Sequence, residues 1–362
     1  MKATQLLHGL GQSLWLDNIT RDLLDSGTLQ RYISELSVTG LTSNPTIFEH
    51  AIKNSSAYDA AIREKISRGE SGSGLFFELA LEDLTRAADL LRPTFDRTNG
   101  VDGWVSVEVS PLLAYDSAST LQAARELFAQ AGRPNLYIKI PGTAEGLQAI
   151  EDSIFAGVPV NITLLFSPEQ YLAAAGAFLR GIERRIDAGL NPAVGSVASV
   201  FISRWDGAVA NTVPAELRNR LGIAIGQRTY RAMNELFASA RWRRICNFGA
   251  RPQRLLWAST GTKDPNASDV LYVNALASPF TVNTLPEATL KALSTHTSIG
   301  ELLPADGGDC ETVLAQFAAA GVDVDALAKR LQEEGANSFV KSWNELMNVL
   351  TAKSASLAGA AQ

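Results

Sequence analysis

Five side chains able to do chemistry occupy one kind of position in this chain. Asp17, Glu108, Lys139, Asn161 and Thr163 each fall on the mixed face of a short run whose other face is apolar. In an extended strand, residues two apart point the same way. In SLWLDNI, Trp15 and Asp17 share one face while Leu14 and Leu16 share the other. In WVSVEVS, Ser106 and Glu108 oppose Val105, Val107 and Val109. In LYIKIP, Tyr137 and Lys139 oppose Leu136, Ile138 and Ile140; in PVNITLLFS, Asn161 and Thr163 oppose Val160, Ile162 and Leu164. A lysine beside carboxylates has two uses. As a cation it binds a phosphate or carboxylate; as a neutral amine it attacks a carbonyl and forms an imine. The apolar neighbours Ile138, Ile140 and Pro141 favour the amine, and a nearby Asp or Glu would then move the protons of dehydration and C–C cleavage. The pattern leaves both uses open, and any one strand end taken alone also fits a solvated edge.

The elements that must bring these residues together are eight β-like runs separated by longer helical stretches. They are residues 13–19, 35–44, 104–110, 136–141, 159–167, 195–203, 254–260 and 270–276. Alternation of strand and helix implies parallel strands with helical crossovers. Eight units in 362 residues suit a (β/α)8 barrel, an α/β fold, better than an open doubly wound sheet. The first strand–helix turn also lacks GxGxxG, which speaks against dinucleotide binding. A barrel gathers the carboxyl ends of its strands at one mouth, so the five residues would meet there. Ser167, Pro168 and Gln170 read as a helix start, with Leu172, Leu179, Ile182 and Ile186 on one face. Residues 53–99 leave room for additional helices, with ESGSG as a loop. Near the end, Phe339, Trp343, Leu346 and Leu350 form the stripe of a C-terminal helix that packs on the barrel. The expected organisation is a single barrel domain over 1–353 and a frayed Ala/Ser-rich tail over 354–362.

Composition narrows the class of function. Net charge is −6 and hydrophobic residues make up 46%; no basic stripe is present, so a nucleic-acid partner is not expected. No stretch approaches the roughly 18 apolar residues of a membrane helix, and no signal peptide is evident, so the expected location is the cytoplasm. The three histidines, His8, His50 and His296, are isolated, which argues against a histidine-ligated metal or a Ser-His-Asp triad. Cys246 and Cys310 are far apart and are expected to be buried free thiols.

At these residues the sequence resembles the transaldolases, in their longer bacterial branch. The stretches that carry the resemblance are SLWLDNITRDLL (13–24), GLTSNPTIFEHAI (40–52), VSVEVSP (105–111), LYIKIPGTAEGLQAIE (136–151), GVPVNITLLFSPEQY (157–171), SVASVFISRWD (196–206) and LLWASTGTKDP (255–265). They fall in the family's order and reach over all but the C-terminal third. The resemblance implies a (β/α)8 barrel and transfer of a dihydroxyacetone unit between sugar phosphates, without a metal or organic cofactor, by a monomer or homodimer of the pentose phosphate pathway. It implies that Lys139 forms the Schiff base, that Glu108 and Thr163 hold a water, and that Asp17 is the acid/base at the cleaved bond. Asn44, Asn161 and Ser199 match positions that bind the ketol portion, and Arg204 matches a phosphate-binding arginine. Shorter transaldolases present a second arginine after strand seven; here that region reads WASTGTKDP, with Ser259 and Lys263 as the local candidates. A Schiff-base aldolase that releases dihydroxyacetone to water, or a barrel that only binds sugar phosphates, are the alternatives.

Overall fold

The computed structural model describes residues 1–359. Eight strands close into a barrel in sequence order, every neighbouring pair parallel. They are β1 (Ser13–Asp17), β2 (Val38–Thr42), β3 (Trp104–Glu108), β4 (Leu136–Pro141), β5 (Val160–Leu165), β6 (Ser196–Phe201), β7 (Arg254–Ala258) and β8 (Val282–Leu285). The fold is a (β/α)8 barrel, as the strand–helix alternation predicts, with extra helices and a long C-terminal helix, Val324–Gly359, packed against it.

Strand alternation divides the core in two. Outward residues such as Leu14, Leu16, Val105, Val107, Ile138 and Ile162 join the layer between barrel and helices. Inward residues Trp15, Trp104, Tyr137, Val197, Leu256 and Val282 form a separate interior core. Trp15, Trp104 and Tyr137 form its aromatic layer toward the amino ends of their strands, where Trp104 stacks on Tyr137 with centroids 4.0 Å apart. Gly40 makes room for this layer: a Cβ there would stand 2.5 Å from the Trp15 indole nitrogen. Beneath it Arg254 closes the barrel floor, donating to Ser13 Oγ at 2.5 Å, to Thr281 O at 2.8 Å and to Val101 O at 3.0 Å. The interior therefore runs from a polar, hydrogen-bonded floor through a packed aromatic layer to a polar mouth.

Several local expectations are corrected. The apolar run 270–276 is a short helix, Leu271–Ala275, and the eighth strand is the more polar Val282–Leu285; periodicity alone does not separate a short apolar strand from a buried helical turn. Leu164 does not continue the outward face of β5. Its φ of 61° breaks the alternation and places it in the interior cluster, while Leu165 takes up the outer layer. Ser167 caps the next helix as read, its hydroxyl accepting from Gln170 N at 3.2 Å, but Leu172 is 43% exposed and Tyr171 and Phe178 face inward with Leu179 and Ile182. ESGSG is not wholly a loop, because a helix begins at Gly72. Cys246 is exposed, and only Cys310 is buried. The C-terminal helix runs on through 354–359 with Leu357 buried, where fraying was expected; residues 360–362 of that tail lie outside the described residues.

Candidate active site

Parallel register brings the candidate residues together. Glu108, Lys139 and Asn161 are Cα partners across β3, β4 and β5, so their side chains enter the barrel at one level. Lys139 Nζ donates to Glu108 Oε2 at 3.2 Å and approaches Ser43 O at 3.4 Å. Both partners are nearly sealed, at 6% and 5% exposure. On β1, Asp17 lies beside Thr42 of β2, and the Thr42 hydroxyl donates to Asp17 Oδ1 at 2.8 Å. Thr284 of β8 extends that contact, 2.7 Å from the Thr42 hydroxyl.

Burial dominates the electrostatics. The Asp17 carboxyl is pushed above the ordinary carboxylate range by desolvation, against the opposing pull of Lys139 and of the Thr42 hydrogen bond. Glu108 is raised for the same reason, partly offset by the Lys139 charge and hydrogen bond and reinforced by Asp17. Burial therefore strengthens the hold of both carboxyls on a proton, the direction that suits a general acid. Glu108 Oε1 and Thr163 Oγ1 are both buried without a protein hydrogen-bond partner. Ser199 Oγ donates to Asn161 Oδ1 at 2.7 Å and Asn161 Nδ2 donates to Ser106 Oγ at 3.1 Å, which fixes the asparagine. Asn44 caps the helix Pro45–Asn54 by accepting from Ile47 N at 3.1 Å.

The rim is cationic. Arg204 follows β6, over the Phe201 ring at 5.2 Å, and burial lowers its pKa. It is not paired with Asp206, which instead accepts from Leu221 N, Gly222 N and the Tyr272 hydroxyl. Lys263 lies exposed after β7, lowered by partial desolvation first and by the Arg204 charge second. Its neighbour Asp264 is taken up by Asn219 and Asn266. Ser259, at φ 55°, receives a hydrogen bond on its carbonyl from Ser203 N and places its hydroxyl 2.9 Å from the Ser203 hydroxyl.

One cleft is lined by Asp17, Asn44, Lys139, Thr163, Ser199, Arg204, Ser259 and Lys263. Glu108 and Asn161 stand just beneath it through the contacts above, so all ten residues singled out in the sequence converge. Other residues that line the cleft were not singled out as functional, among them Thr42, Thr284, Phe201 and Phe339. Thr42 shares the inward face of its strand with Gly40, and the alternation that exposed Asp17 also reveals it. Thr284 was hidden by the misplaced eighth strand. Phe339 had been read only as packing, yet its ring centroid lies 5.4 Å from Lys139 Nζ. Among the described residues no group of three His, Cys, Asp or Glu side chains could hold a metal, and no helix is long and apolar enough to cross a membrane.

A family model described as Transaldolase/Fructose-6-phosphate aldolase matches residues 14–350, reaching well into the C-terminal third. A protein named Transaldolase from Thermobifida fusca is 43% identical over 353 residues, covering 95% of this chain and 96% of that one. One named Transaldolase 2 from Nostoc punctiforme is 40% identical, covering 95% of each chain. A Transaldolase from Acidothermus cellulolyticus is 42% identical, again covering 95% of each.

Proposed function

We propose that this chain, which belongs to the transaldolase/fructose-6-phosphate aldolase family and is a transaldolase, carries dihydroxyacetone between sugar phosphates as an imine on Lys139. The observation that carries the assignment is the buried Lys139–Glu108 contact of 3.2 Å at the carboxyl ends of the strands. The donor is a ketose phosphate, fructose 6-phosphate or sedoheptulose 7-phosphate. Lys139 attacks its ketone, and Glu108 with Thr163 holds the water that exchanges protons during dehydration; their unpartnered oxygens suit that task. Asp17 takes the proton from the hydroxyl next to the breaking bond, so that an aldose phosphate leaves. The protonated imine is the electron sink and no further cofactor is required. Erythrose 4-phosphate or glyceraldehyde 3-phosphate then collects the three-carbon unit by the reverse sequence. Asn44, Asn161 and Ser199 bind the hydroxyls of that unit, while Arg204, Lys263 and Ser259 receive the phosphate. We assign the enzyme to the non-oxidative pentose phosphate pathway of the cytoplasm, acting as a monomer or homodimer.

Borohydride reduction in the presence of fructose 6-phosphate tests the imine. Inactivation with one reduced three-carbon adduct on the peptide containing Lys139 is the expected result. Lys139→Arg keeps the charge but cannot form the imine, and should be inactive. An adduct on another lysine, or normal turnover by the arginine variant, removes Lys139 from this role.

A further inference from the structure

We infer that Phe339, carried on the C-terminal helix, covers the three-carbon unit on Lys139 and sets how much of it passes to an acceptor and how much is lost to water. This inference rests on the Lys139 imine proposed above. The Phe339 ring centroid is 5.4 Å from Lys139 Nζ and the residue is 8% exposed. It walls two clefts: the inner one holds Asp17, Lys139 and Thr163, and the outer one is bounded by Asn18, Thr46, His50 and Ser342. The ring thus stands between the reacting nitrogen and the open side of the mouth. It brings no titratable group; what it offers is bulk that excludes water and a π face toward a cationic nitrogen.

The helix that bears Phe339 is seated on the mouth by specific contacts. Gln332 Nε2 donates to Gly142 O at 3.0 Å and to Leu164 O at 2.9 Å, at the ends of β4 and β5. Gly335 permits the close approach: a Cβ there would meet Leu164 Cδ2 at 2.9 Å, Arg204 Nη1 at 3.5 Å and Phe166 Cζ at 3.6 Å. Leu164 reaches this contact by adopting a φ of 61°, which is strained for a leucine. Thr46 Oγ1 donates to Ser342 Oγ at 2.9 Å, tying the next turn to the helix that follows β2. A costly backbone conformation and a side-chain-free helix position therefore meet one turn from the ring.

After C–C cleavage, Nζ bears an enamine. If solvent protonates the enamine carbon, an iminium forms, water adds to its C=N carbon, and dihydroxyacetone leaves as Nζ departs; one water is consumed. In transfer, the same carbon bonds to the aldehyde carbon of the acceptor and the aldehyde oxygen takes a proton. The new iminium is then hydrolysed by one water to free the product ketose. The two fates divide at protonation of the enamine carbon, which is where a cover against bulk water acts.

The test measures free dihydroxyacetone against transferred product, with fructose 6-phosphate and erythrose 4-phosphate, in Phe339→Ala and Phe339→Leu. Phe339→Ala should raise the release-to-transfer ratio about tenfold or more, and Phe339→Leu, which keeps the bulk, should stay within about threefold of the parent. Gly335→Ala, whose Cβ would crowd Leu164 Cδ2 at 2.9 Å beneath the helix without altering the ring, should shift the ratio in the same direction. It also supplies the readout if Phe339→Ala is too unstable to assay. An unchanged ratio in Phe339→Ala, even with both rates depressed, overturns the inference, as does an unchanged ratio in Gly335→Ala or a leucine variant as leaky as alanine. Borohydride trapping separates the two readings. Failure to trap the parent enzyme at Lys139 removes the imine, whereas an adduct on Lys139 with an unmoved ratio removes only the cover.

Discussion

At the scale of single residues, the division of labour between the two carboxyls follows from where each one sits. Glu108 touches Lys139 Nζ directly, at 3.2 Å, so it can act while the amine adds to the ketone and water leaves. Asp17 hydrogen-bonds to Thr42, not to the lysine, which suits its proposed role at a different atom of the substrate. Glu108→Gln should therefore slow formation of the trappable imine. Asp17→Asn should still yield a borohydride adduct on Lys139 but fail to release the aldose phosphate. General acid–base groups contribute about 10²–10⁴-fold, so each loss should fall in that range in single-turnover assays. Small and equal losses at both steps would mark the pair as structural. These two residues, with Lys139, were legible in the sequence because a charged side chain on the inward face of an otherwise apolar strand has few purely structural uses. Phe339 was not legible, because a phenylalanine on a helical apolar stripe looks the same whether it meets the core or the reacting nitrogen.

At the scale of elements, the helix Ser203–Val209 that carries Arg204 is held by one buried carboxyl. Asp206 accepts from Leu221 N at 2.9 Å, Gly222 N at 3.1 Å and the Tyr272 hydroxyl at 2.9 Å, so it joins three helices behind the rim. Burial pushes its pKa up from 3.8 to about 6, with those three hydrogen bonds pulling back. The sign of the consequence is fixed. The folded protein holds this proton more tightly than the unfolded chain, so the contribution is fully present below about pH 4 and is lost as pH rises through about 6. At 1.36 kcal/mol per pH unit, that span is worth up to about 3 kcal/mol. The stability of the parent relative to Asp206→Asn should fall across this window, read as the difference in thermal midpoints at each pH. A pH-independent difference would show that Asp206 does not titrate there. The sequence does not reveal this role of Asp206, because a buried acid that satisfies backbone amides on another helix leaves no local mark. The strands were more readable than such ties. β1 to β7 fall within the runs found by alternation, because each has one face against the helices. β8 escaped because Asn283 and Thr284 interrupt its apolar character, and Asn283 spends its Oδ1 on Thr260 inside the wall.

At the scale of the whole molecule, the barrel separates what holds it together from what it does. Chemistry gathers at the carboxyl ends of the strands, and the aromatic layer of Trp15, Trp104 and Tyr137 lies between that mouth and the floor. In such barrels the amino-terminal face serves stability. Arg254 is the decisive residue there, 6% exposed and bonded across the closure of the sheet to Ser13 of β1 and to Thr281 just before β8. It also lies 3.4 Å from Asp102, which is 5% exposed and would be left buried without its cation if the arginine were removed. Breaking a buried pair from one side typically costs about 3–5 kcal/mol. Arg254→Met retains much of the stem and removes the charge, so it should lower the unfolding free energy by an amount in that range, read from denaturant titrations. The folded fraction should keep its kcat and its KM for fructose 6-phosphate, because no atom at the mouth depends on the guanidinium. Assayed well below its midpoint, a variant that is less active but no less stable would show that the two ends are coupled, and the separation would have to be abandoned. Adding Asp102→Asn to Arg254→Met refines the test. If the stranded carboxylate is the main penalty, the double variant should recover part of the loss; if the hydrogen bonds to Ser13 and Thr281 dominate, it should recover little.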